Sequence, residues 1–258
     1  MNCKDIIEKI EEKYQLSYAC DWDNVGLLVG REEKEVKTIY IALDATKQVV
    51  ERAISNKADL LITHHPMIFS GLKRVNDKDL VGSKVVALLQ NDITYYAAHT
   101  NYDVKQMADL AAKKLRMEET KVLEITKEEE ELGIGLYGNL PEPVSIRELG
   151  ELIKNKFHID TVKIFGDLNK KVTNVAISPG SGKSMITPSL EVGAEVLITG
   201  DIDHHTGIDA VDEGLLIIDA GHYGLEHIFI KDMARFVSEL SDDFNIIREP
   251  LENPFVVI

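Results

Sequence analysis

Two adjacent histidines close an apolar run at Leu60-Leu61-Ile62-Thr63-His64-His65, and a third, His99, closes another over Ile93–Ala98. Asp103 follows four residues on, and a late segment supplies His222 and Glu226. All six lie at or just past the C-terminal end of an expected strand, the edge where open α/β sheets bind ligands. His222 and Glu226 share one face if their segment is helical. Imidazole and carboxylate without thiolate suit zinc, iron, manganese or nickel alike. His64, His65, Asp103, His222 and Glu226 exceed what one open catalytic metal needs. They suit two ions ~3.5–4 Å apart, with Glu226 bridging. Adjacent side chains past a strand end diverge, so His64 and His65 can serve different ions; the expected division is His65 and Asp103 on one ion and His64 and His222 on the other. His99 fits three roles: a ligand, an orienting group, or a general base that moves a proton.

The elements that must position these residues repeat. Thr38–Ile41 aligns with Asn174–Ile177, Ala58-Asp59 with Ala194-Glu195, and Leu60–Thr63 with Val196–Thr199, at a constant offset of 136. Strands are expected at Leu27–Val29, Thr38–Leu43, Ala58–Thr63, Ile93–Ala98, Ile134–Leu140, Val162–Phe165, Val172–Ser178, Val196–Thr199 and Leu215–Asp219. Helices are expected at Lys4–Tyr14, Thr46–Asn56, Leu80–Gln90, Met107–Leu115 and Leu225–Leu240, with Ser145 and Glu148 forming a capping box at the start of another. Strands alternating with helices predict an α/β fold of two similar domains with mostly parallel sheets and the dimetal site in the cleft between them. The acidic run near Thr126–Glu131 places the boundary at residues 1–125 and 126–258, leaving the C-terminal helix free to pack back on the first domain.

Pro179-Gly180-Ser181-Gly182-Lys183-Ser184 mimics the end of a phosphate-binding loop, but Ile177 stands where that motif needs its first glycine. Gly180, Gly182 and Lys183 remain candidates for holding a phosphate by backbone N–H groups and charge, with Lys73 and Arg74 weaker ones. His204, His205 and Asp203 suggest a supporting or substrate-facing role, whereas His158 and His227 read as structural. Trp22, beside Asp23 and Asn24, reads as a buried indole with its N–H satisfied by a neighbour, although an indole there could also stack a purine.

With 29 basic and 44 acidic residues in 258, the net charge of −15 argues against nucleic acid and anionic membranes as partners. Cys3 and Cys20 read as free thiols of a reducing compartment, and the opening residues lack signal-peptide character, so a cytoplasmic location is expected.

The motifs Trp22-Asp23-Asn24-Val25-Gly26-Leu27, Thr63-His64-His65-Pro66, His99-Thr100-Asn101-Tyr102-Asp103, Thr199-Gly200-Asp201 and Gly221-His222 through Glu226 resemble those of the Nif-three-like dinuclear metal-centre family. Its members are commonly called GTP cyclohydrolase 1 type 2 homologs. The resemblance runs through essentially the whole chain. It implies two divalent metal ions per chain held by His64, His65, Asp103, His222 and Glu226, two interlinked α/β domains and a ring-shaped homohexamer. Some members carry a domain inserted between the halves; the acidic stretch here passes straight into the second half.

The expected function is therefore a dinuclear metal-dependent hydrolase. By resemblance it would open the imidazole ring of GTP, with His99 moving a proton. A metal-dependent phosphoesterase acting on a nucleotide or small phosphate ester is the alternative, and a metal chaperone or regulatory scaffold lies outside enzymes altogether. Open coordination positions favour an enzyme.

Overall fold

The computed structural model describes residues 1–258. The chain forms two compact units, neither of them continuous: Met1–Tyr102 with Phe229–Leu251, and Asp103–Ile228 with Glu252–Ile258.

The first unit is built on a five-stranded sheet in the order β1 (Gly26–Val29), β4 (Thr94–Ala97), β3 (Leu60–Thr63), β2 (Thr38–Ala42) and β11 (Asn245–Arg248). All neighbours are parallel except the β1–β4 pair. Residues of β3 and β4 are buried throughout, as their unbroken apolar runs predict for strands covered on both faces. Helices α1 (Cys3–Lys13), α2 (Lys47–Ser55) and α3 (Leu80–Gln90) match their apolar periodicity. Thr46 caps α2 by accepting from Val49 N–H. One core packs Val49, Val50 and Ala53 of α2 and Leu88 of α3 against Tyr40, Leu61 and Tyr95 of the sheet.

The second unit carries a six-stranded sheet ordered β5 (Glu118–Lys127), β6 (Leu132–Ser145), β8 (Lys171–Ser181), β9 (Val196–Gly200), β10 (Leu216–Asp219) and β7 (Lys163–Phe165). Its centre, β8-β9-β10, is parallel, and the flanking pairs are antiparallel. Residue 125, where the sequence places a domain boundary, lies inside β5, whose polar, largely exposed sequence hid a strand. The acidic run is the turn that joins β5 to β6. Pro141 and Pro143 do not end β6, which runs to Ser145; there the capping box with Glu148 opens α6 (Ile146–Phe157) as expected.

Residues Asp103–Met107 form a π-helical turn between the short α4 (Thr100–Tyr102) and α5 (Ala108–Leu115). The long helix expected from Leu225 to Leu240 is two: α9 (His222–Glu226) and α10 (Ile228–Ser238), which meet at His227. His227 is held by a 2.6 Å hydrogen bond between its Nε2 and the Phe157 carbonyl, and burial is the largest influence lowering its pKa.

The repeat survives as shared hydrogen bonds. Asp59 Oδ2 accepts from the N–H groups of Lys37 and Thr38 at 2.8 and 2.9 Å. Glu195 Oε2 accepts from those of Thr173 and Asn174, the positions aligned with them, at 2.7 and 3.0 Å. In each unit an acid before the second parallel strand thus ties down the start of the first.

Candidate metal centre

In the first unit the ligand nitrogens of His64, His65 and His99 all lie within 4.8 Å of one another. The ends of β3 and β4 present them: His64 and His65 directly follow β3, and His99 lies just past β4. His64 is fully buried. Each ring is fixed through Nδ1, His64 to the Ala98 carbonyl at 2.7 Å, His65 to Asp44 at 2.8 Å and His99 to Asp23 at 2.9 Å. A carboxylate or carbonyl at Nδ1 selects the tautomer that carries its proton there and its lone pair on Nε2, the arrangement metal-binding histidines use. Asp23 also accepts from Thr100 N–H at 3.0 Å. Burial resists ionisation of Asp23, but the hydrogen bonds from His99 and Thr100 outweigh it and bring the carboxyl down to about 2.

In the second unit His222 opens α9 and Glu226 closes it, with His222 Nε2 2.9 Å from Glu226 Oε2. Asp103, the first residue of the π-helical turn, and the buried Glu226 bring carboxylate oxygens within 4.8 Å of each other. His222 Nδ1 is held by Asp201 at 2.7 Å. Burial opposes the charge on His222, yet hydrogen bonds to Glu226 and Asp201 raise its pKa to about 9. A cavity of about 450 Å³ lies beside it, lined by Asp201, Tyr223, Lys163 and Phe255 among others.

Two glycines make room for these side chains. A Cβ on Gly180 would stand 2.4 Å from Glu226 Oε1, and one on Gly200 would stand 2.5 Å from the backbone N of His222. Gly200 occupies the position that aligns with His64. The second copy of the strand end gives up its side chain there so that the turn bearing His222 can approach.

In the loop offered for phosphate, the glycines and the lysine have these neighbours. Gly180 packs on Glu226, Gly182 on Thr199, and Lys183 donates to Asp203 at 3.2 Å. The strand continues to Ser181, and only short turns follow before α7 (Ile186–Glu191). His204 and His205 sit exposed in the first turn of α8 (His204–Asp212), where Asp203 is the cap. His158 ends α6 in the left-handed conformation. Both cysteines are free thiols.

Trp22 overturns the expectation of a buried indole: it is 64% exposed. The polar residues of its loop turn inward instead, Asp23 to His99 and Thr100, and Asn24 to the Ile68 carbonyl. Of the acids that orient the rings, Asp23 and Asp201 stand in the family-like motifs, which do not by themselves reveal that role, and Asp44 is marked only by its place past the end of β2.

A family model described as Duf34/NIF3 (NGG1p interacting factor 3) matches residues 1–253. The chain belongs to this family. A Clostridium perfringens protein described as a GTP cyclohydrolase 1 type 2 homolog is 32% identical over 262 residues, covering 100% of both chains. A Streptococcus pneumoniae protein of the same description is 34% identical, covering 94% of this chain and 92% of its own. Among solved structures, a Bacillus cereus protein related to NIF3 superposes with a TM-score of 0.93 at 25% identity, covering 100% of this chain and 99% of that one. Reduced HcgD from Methanocaldococcus jannaschii superposes at 0.84 with 32% identity, covering 96% and 97%. No helix is long and apolar enough to cross a membrane.

Proposed function

We propose that the protein is a dinuclear metal-dependent hydrolase in which His64, His65, Asp103, His222 and Glu226 hold two divalent ions. The observation that carries this reading is the anchoring of all four imidazoles through Nδ1, three of them to carboxylates. In His64, His65 and His99 that anchoring favours the tautomer with its lone pair on Nε2, as a metal ligand requires, and in His222 it turns Nε2 towards Glu226. Gly180, where a Cβ would press on the Glu226 carboxylate, fits the same purpose. Zinc, iron, manganese and nickel all suit the donor set. Such ions, when bound, lower the pKa of water and stabilise developing negative charge.

The chain's own residues orient and move protons. Asp44 and Asp201 fix the rings of His65 and His222, while Asp23 holds His99 so that its Nε2 is free to exchange a proton with a substrate. The relatives' description as GTP cyclohydrolase 1 type 2 homologs supports GTP as substrate, with hydrolytic opening of the guanine imidazole ring and release of formate. Assembly into a homohexamer belongs to the same proposal and is read by light scattering. The test is incubation of metal-loaded protein with GTP, assaying formate against phosphate and pyrophosphate. Formate release supports the ring-opening reading. Phosphate release moves the assignment to a phosphoesterase, and no turnover with firmly bound metal favours a chaperone or scaffold.

A further inference from the structure

Trp22 and Phe69 are large aromatic side chains left 64% and 53% exposed in the first unit. Neither lies on an arbitrary part of the surface. The indole stands edge-on to the His99 imidazole at 6.0 Å between centroids and 74° between planes, and the Phe69 ring stands at 5.8 Å and 88°. Both loops are braced. Asn24 Nδ2 donates to the Ile68 carbonyl at 2.6 Å, which clasps the Trp22 loop to the Phe69 loop. Asp23, between Trp22 and Asn24, is locked to His99 and Thr100. Exposing two such rings forgoes the burial that usually accounts for them, while the clasp spares them the entropy of ordering on binding.

We propose that Trp22 and Phe69 form an aromatic clamp that receives a planar heteroaromatic ring beside His99. The clamp binds by stacking, which tolerates any π-face and needs no charge, so it selects the base of a nucleotide rather than its phosphates. Only the choice of a purine rests on the hydrolase reading above; the clamp itself rests on the ring geometry and the loop clasp.

Trp22 is the only tryptophan in the chain, so its fluorescence reports the site directly. Metal-loaded protein is titrated with guanosine, GTP, ribose 5-phosphate and tripolyphosphate. Saturable quenching by guanosine and GTP, and none by the other two, is expected. Phe69→Ala should weaken guanosine binding about ten-fold or more. By calorimetry, Trp22→Ala should weaken it similarly and Trp22→Phe much less, with metal content unchanged in all three variants. Absence of saturable quenching by either guanine compound, or unaltered affinity in both alanine variants, overturns the clamp. So does quenching by tripolyphosphate alone. Quenching without formate release leaves the clamp standing and sinks the cyclohydrolase reading; formate release with an undisturbed indole does the reverse.

Discussion

His222 donates from Nδ1 to Asp201 at 2.7 Å, and Asp201 makes this contact from a left-handed backbone position, φ +58°. Asparagine tolerates that backbone and keeps an acceptor oxygen, whereas alanine is strained there. Asp201→Asn should therefore fold like wild type yet bind metal about 10- to 100-fold more weakly, because a neutral acceptor makes the imidazole a poorer donor. Competitive titration with a metal-sensitive dye, alongside a melting curve of the apo protein, reads the two effects separately. Equal metal affinity in the variant would remove Asp201 from the centre.

Gly180 and Gly193 form a matched pair for testing the cradle. Both have positive φ, +86° and +71°, so alanine at either should cost about 1 kcal/mol of backbone strain. Only at Gly180 would the new Cβ meet Glu226, and the yielding atom is the end of a flexible side chain. Gly180→Ala should match Gly193→Ala in denaturant midpoint but lose metal. Identical metal content in the two variants would show that Glu226 is not needed as placed.

The Asp23 carboxyl gives a pH signature. Its folded pKa lies below its unfolded one, so its stabilisation is present above about pH 4 and lost as pH falls towards the folded value of about 2. The shift corresponds to about 2 kcal/mol for this buried side chain. Wild type and Asp23→Asn should differ by that amount in urea unfolding from pH 5 to 8, converging as pH drops below 4. A gap that stays constant down to the lowest pH at which the protein folds would assign the effect to packing rather than charge.

Much of this was legible in the sequence, and the failures have physical causes. The parallel strands read clearly because Leu60–Thr63 and Val196–Thr199 are apolar at every buried position but the threonine. Strand β5 did not, because tertiary pairing with β6 overrides the weak strand preference of its glutamates and lysines. The candidate ligands stood out because histidine pairs at strand ends are rare, but the acids that orient them did not. An aspartate after a strand reads equally well as a turn. Trp22 misled because indoles are usually buried, and here its neighbours Asp23 and Asn24 claim the interior contacts.

The duplication predicts matching energetics. Asp59→Ala and Glu195→Ala each orphan two strand-start N–H groups, so each should cost about 1–3 kcal/mol. The costs should add in the double variant, as the two clamps share no partner. Thermal or denaturant unfolding of the three variants measures this, and a cost at one site only would mean that the clamps are not equivalent.

Metal content decides whether Glu226 joins two ions in one centre, as proposed. Glu226→Gln keeps the shape and one acceptor but loses the charge a bridge requires. Elemental analysis of protein purified without chelator should give about two divalent ions per chain for wild type and at most about one for the variant, with both retaining the same circular dichroism. Wild-type protein free of metal, or a variant holding as much as wild type, would contradict the account.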